Sequence, residues 1–204
     1  MQSTSREVAS APVLQELRTH TAELHIALEK RLPFFADSLD SHAFLQLMQA
    51  YHGFYAPLED ALRTSPWFPA DFDLQPRLKS AILQDDLRAL GLSAEAVEGL
   101  PRCQDLPALD SRAACLGVLY VVEGATLGGQ VLRRHIHSHL GLDARNGAAF
   151  LDVYGEDTGR RWRAFLHYLC SQPLSGQERA ATVRAAQDTF RCFEHWLQGR
   201  EVLL

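Results

Sequence analysis

The chain has 204 residues, 47% hydrophobic and 22% charged, with a net charge of −5, which gives one ordinary globular domain and no basic surface to suggest nucleic-acid binding. The polar start MQSTSREVAS lacks a hydrophobic signal core, and the longest apolar run, Ala113 to Val122, is too short to cross a bilayer. Cys103, Cys115, Cys170 and Cys192 are widely spaced with no CxxC, so they read as reduced thiols of a cytoplasmic protein rather than as zinc ligands.

Residues 1–11 read as a disordered polar tail and 12–204 as one helical domain. Leu14, Leu17, Leu24 and Leu28 recur at helical spacing, giving a helix from Val13 to Leu32 that Pro33 ends. A second helix starts at Ser41 as N-cap and carries Phe44, Leu47, Tyr51, Tyr55, Leu58 and Leu62, with a kink expected at Pro57. Arg63 to Gln75 is a loop with aromatic anchors. A third helix is expected from Pro76 to Leu90, closed by Gly91, then one turn from Ser93 to Glu98.

Residues 99–109 form a loop. A long central helix then starts at Ala108 or Asp110 and runs to Leu140, where Gly141 stops it. Asn146 to Val153 is a short helix and Thr158 to Cys170 a clear one. The last helix opens on a Ser175-x-x-Glu178 capping box and carries Val183, Phe190, Phe193 and Trp196. No stretch alternates as a strand would, so the expected fold is an all-α bundle of seven or eight helices.

The central helix holds the unusual stretch, Tyr120 to Arg134, YVVEGATLGGQVLRR. Glycine inside a helix costs about 1 kcal/mol against alanine. Gly124, Gly128 and Gly129 therefore point to bare backbone, needed either for a helix packed very close or for a ligand lying on the main chain. Taken alone, the glycines favour packing.

Several chemistries lack their motifs: there is no Walker loop, no GxGxxG after a strand, no HExxH, no ExxH and no GxSxG. Of nine histidines, His135 and His139 are four apart, but Arg133 and Arg134 beside them disfavour a cation. His25 lies at the edge of the first helix's apolar stripe, with Glu29 one turn on and Arg18 two turns back. A neutral imidazole there could bind a metal through one nitrogen while Glu29 takes the other, with Arg18 suited to a ligand carboxylate. From spacing alone, the plainer account is a boundary histidine paired with Glu29 by an i,i+4 contact.

Together, LRTHTAELHIALEKRL and, roughly 100 residues later, YVVEGATLGGQVLRR resemble the haem oxygenase family, and the likeness runs from about Leu14 to Leu197. LYVVEGATLGG looks most like the bacterial branch, including members associated with bacteriophytochromes. The resemblance implies haem sandwiched between the first helix and a glycine-kinked central helix. It implies that haem, O2 and external electrons give biliverdin, carbon monoxide and ferrous iron. It makes His25 the iron ligand, and Gly124, Gly128 and Gly129 the bare floor of the distal side. Arg18 and Arg163 fall at propionate-binding positions, Glu29 beside the ligand, and Phe190 at an aromatic that packs on haem. Arg163 and Phe190 fit equally a solvated arginine and a core aromatic. The implied partner is an electron donor of ferredoxin or flavodoxin type, with a biliverdin-accepting bacteriophytochrome beyond it, and neither nucleic acid nor membrane.

There is one departure. Animal-type members carry an aspartate directly after the first distal glycine, where it organises water; here that position is Ala125. The same fold could also serve as a non-catalytic haem carrier or sensor, for which Ala125 is the best support.

Overall fold

Prolines, glycines and short polar caps divide the described chain, residues 11–204 of a computed structural model, into seven α-helices: α1 Pro12–Arg31, α2 Ser41–Thr64, α3 Ser80–Ala89, α4 Ala94–Glu98, α5 Arg112–Leu140, α6 Thr158–Ser171 and α7 Gly176–Gly199. Four short 3-10 turns join them, and no strand occurs among the described residues. The expected tail lies outside the described residues except Ala11, which is the N-cap of α1, with Pro12 at the first helical position.

The caps explain most boundaries. Asp40, not Ser41, caps α2 by accepting from Ala43 N at 2.8 Å, and the helix continues through Pro57. Ser111 caps α5, so that helix starts at Arg112 rather than at 108 or 110. The helix is unbroken across its three glycines and ends at Gly141 in the left-handed region, φ +71°. Ser175 and Glu178 form the capping box of α7.

Two segments depart from expectation for one reason, a carboxylate reaching across from another helix. The expected third helix breaks into a 3-10 turn at Gln75–Arg77 and α3 from Ser80. Glu59 of α2 accepts from Lys79 N at 2.6 Å and Ser80 N at 3.0 Å, and so caps α3. The expected helix at 146–153 is only a 3-10 turn, Ala149–Asp152. Asp86 of α3 takes Ala149 N at 2.8 Å and Phe150 N at 2.7 Å, which holds that segment as a strap.

The helices α5 and α7 form the centre and cross at Gly117. A Cβ added there would collide with the Thr182 carbonyl oxygen and stand 2.9 Å from the Ala185 Cβ. On the other flank of α7 lies α1, held by Glu16 to Arg179 (3.0 Å), Gln187 to the His20 carbonyl (3.0 Å) and Arg31 to Glu194 (2.7 Å). Partner numbers rise together along both chains, so α1 and α7 run parallel. By length and composition alone α5 could cross a membrane, but it is a core helix, with Cys115, Leu116, Val118 and Leu119 fully enclosed.

Candidate functional site

Two ties join α5 to the first part of the chain, one to α1 and one to the turn and loop that follow it. Near the start the side chains of Thr21 and Tyr120 lie together, and burial pushes the Tyr120 phenol up in pKa. Further on, the Phe35 ring lies 4.8 Å from that of His135, and the His139 Nε2 is 3.0 Å from the Leu39 carbonyl oxygen. Again the numbers rise together, so residues 21–39 run in the same sense as α5, joined to it at both ends of a stretch that spans about 22 Å of α5.

Between the ties, exposed residues of the two segments outline a candidate cleft. His25 is one turn beyond Thr21 on α1, and Glu29 one turn further; both are exposed. Gly124 is one turn beyond Tyr120 on α5, and Gly128 the next. The apolar residues Ile26 (51% exposed), Leu127 (41%) and Val131 (61%) stand in the same stretch. Leu127 and Val131 are one turn apart on a helix that is otherwise a core element, which marks that face as a candidate for covering by a ligand or partner.

The structure divides the three glycines. Nothing lies within 4 Å of where a Gly128 side chain would project, and Gly124 would only touch the Trp162 ring at 3.5 Å. Packing requires neither to be glycine. Gly129 is turned the other way and is buried against Leu151, where a Cβ would collide with the carbonyl oxygen. Its role is packing, not lining the cleft.

Of the other expected site residues, Glu29 and Phe190 lie beside His25. Its Nδ1 is 3.5 Å from Glu29 Oε2, which leaves Nε2 as the nitrogen free for a metal. Phe190 of α7 is buried, with its ring edge-on to the imidazole at 5.9 Å. Arg18 is exposed at the Tyr120 end, close enough to act on Tyr120 and Cys170. Arg163 is exposed on α6, one residue from Trp162. Neither arginine pairs with a carboxylate among the described residues.

Thr126 and Glu123, the polar side chains nearest Ala125 in sequence, both face elsewhere. Thr126 Oγ1 donates to the Glu123 carbonyl at 2.7 Å. Glu123 itself is 1% exposed, with its carboxylate bonded to Arg77, to Lys79 at 2.8 Å and to Tyr154 at 2.8 Å. Ala125 is exposed. On this stretch of the cleft, therefore, only the backbone offers polar groups.

Sequence reasoning missed the Thr21–Tyr120 tie, Trp162 and the Glu123 cluster. The last had a visible signal: Glu123 is a lone charge directly after the most apolar run of the chain. An exposed imidazole, exposed apolar side chains on α5 and two arginines without a carboxylate partner among the described residues fit a flat, apolar, iron-bearing dianion such as haem.

The sequence model of a family described as "Heme oxygenase" matches residues 11–199. A heme oxygenase of Xanthomonas campestris pv. campestris (strain 8004) is 30% identical over 158 residues, covering 76% of this chain and 88% of that protein. The heme oxygenase structure from Leptospira interrogans superposes with a TM-score of 0.76 at 16% identity, over 92% of this chain and 98% of that one. The NO- and CO-bound heme oxygenase from Neisseria meningitidis gives 0.74 at 19% identity, over 92% and 91%. At those identities the two structures show a shared fold.

Proposed function

The chain belongs to the haem oxygenase family, and from that premise we propose that it opens haem to biliverdin, carbon monoxide and ferrous iron with O2 and external electrons, using the cleft between α1 and α5. The observation that carries this reading is the pairing of an exposed His25 with a Gly128 whose side-chain position is open space.

Haem supplies the iron that activates oxygen and is itself the substrate. His25 would hold it through Nε2, with Glu29, 3.5 Å from Nδ1, placed to orient the ring. Phe190 packs edge-on behind the imidazole and limits its rotation. Arg18 and Arg163 offer bidentate cations to the two propionates at the mouth. Gly124 and Gly128 let the main chain approach the other face. With Ala125 inert and Thr126 and Glu123 engaged elsewhere, the carbonyl groups of Gly124 and Gly128 are the polar atoms that would hold a proton-delivering water there. Electrons come from a ferredoxin- or flavodoxin-type donor, and a bacteriophytochrome is a fitting acceptor for the biliverdin. The four cysteines form no disulfide among the described residues, which suits a reducing cytoplasm.

The test adds haem, then ascorbate or reduced ferredoxin in air, and follows the visible spectrum of wild type and His25→Ala. The expected result is a histidine-ligated Soret band that gives way to biliverdin in wild type, and loss of that ligation in the variant. Haem returned unchanged by the wild type would leave a carrier or sensor. Identical spectra for the two proteins would remove His25 as the ligand.

A further inference from the structure

The glycines that open the cleft create a mechanical difficulty. A helix is normally held at one rotation by side chains packed on several sides. On its cleft side, however, α5 has Ala125, Leu127 and Gly128 exposed, with nothing near Gly128. Its rotation must be fixed from behind.

Behind it lies the strap 149–158. Leu151 receives Gly129. Gln130 Nε2 donates to Asp152 at 2.8 Å and to Thr158 Oγ1 at 3.2 Å, and Arg133 pairs with Asp152 at 2.8 Å. Tyr154 donates to Glu123. The contacts of Gln130 and Arg133 are partly exposed and can drift with water as a substitute partner. The Glu123 cluster cannot: Glu123 is 1% exposed and Lys79 2%. Lys79 Nζ is held by Glu123 and the Arg77 carbonyl, both at 2.8 Å.

We propose that Glu123 is the positioning residue of the glycine segment: its carboxylate, gripped by Arg77, Lys79 and Tyr154, fixes the rotation of α5 so that Gly124 and Gly128 stay turned to the cleft. Turning α5 by one residue, about 100°, would strip the carboxylate of its partners and leave buried cations unpaired. The close crossing at Gly117 fixes the first half of α5, and the buried ions fix which way the glycine segment beyond it faces; registry is the best-attested use of buried polar groups. Glu123 directly precedes Gly124, so the charge acts at the base of the open segment. The inference rests on the haem reading above, because its effect is read at bound haem.

The probe is imidazole, added to the ferric haem complex and followed at the Soret band, since it must fit between haem and α5. Tyr154→Phe removes one bond to Glu123 and leaves both ion pairs; Glu123→Gln keeps hydrogen bonding and removes the charge. Val97→Ala, buried in α4, which packs chiefly on α3, serves as a control for general destabilisation. We expect imidazole to bind roughly fivefold or more tightly to Tyr154→Phe and Glu123→Gln, and unchanged to Val97→Ala. If Glu123→Gln fails to fold, Tyr154→Phe decides alone. Haem still held by His25 with imidazole affinity within about twofold of wild type in Tyr154→Phe overturns the inference and leaves the haem reading intact. A wild-type chain that takes up no haem overturns the reading beneath it, and the inference with it.

Discussion

Gly129 is pressed against Leu151, with the position of a Cβ on Gly129 only 3.2 Å from the Leu151 carbonyl carbon, while its neighbour Gly128 meets nothing within 4 Å. Adjacent glycines in one helix therefore serve opposite needs. One lets the strap approach, and the other leaves the cleft bare.

This separates two substitutions. Gly129→Ala must push the strap away and should lower the stability of the haem-free protein by about 1–3 kcal/mol. Gly128→Ala has room and relieves a helix-interior glycine, so it should stabilise the same protein by up to about 1 kcal/mol. The order should reverse at haem, with Gly128→Ala changing ligand binding on the distal side although it folds better. Thermal melts without haem and Soret titrations with it check both halves. Equal melting temperatures for the two variants would refute the division.

Arg18 and Arg163 are exposed, without carboxylate partners among the described residues. Reversing them, as Arg18→Glu or Arg163→Glu, should move haem-free stability by no more than about 0.5 kcal/mol. Haem affinity should fall roughly tenfold for each if the propionates sit there, and the loss should shrink as salt is raised. An unchanged affinity would release that arginine from the site.

His52 gives a pH dependence of folding remote from the cleft. It is 1% exposed in α2, and neither ring nitrogen has a hydrogen-bond partner. Burial, helped by the Arg102 charge, lowers its pKa below the ordinary 6.5. As pH falls through 6.5, the unfolded chain takes a proton that the folded chain refuses, so stability is full above that pH and declines below it until the folded pKa is reached. Melting temperature should therefore drop between about pH 7 and 5. His52→Leu, which removes the proton site from a nearly dry pocket, should flatten that decline. A variant with the same slope as wild type would assign it to other groups.

Helix class and order are legible in the sequence because each helix carries local signals: leucine periodicity in α1, a capping box at α7, a stop at Gly141. The start of α3 and the strap at 149–152 are not, because their amide groups are satisfied by Glu59 and Asp86, residues 20 and more than 60 positions away. His25 and the glycine stretch could be singled out as chemistry-bearing residue types. Spacing could not distinguish a packing glycine from a cleft glycine, since both follow the same helical period.

By itself the sequence determined an all-α chain and the pair of segments, around His25 and around Gly124, that carry the family likeness. Only the tertiary structure decided that these segments run in the same sense with a candidate cleft between them, because that depends on ties such as Thr21 to Tyr120 and Phe35 to His135. It also decided that Glu123 points away from the cleft into an ion cluster. Helix periodicity fixes a residue's angle relative to its neighbours, whereas the direction that angle faces is set by what the rest of the chain brings against the helix.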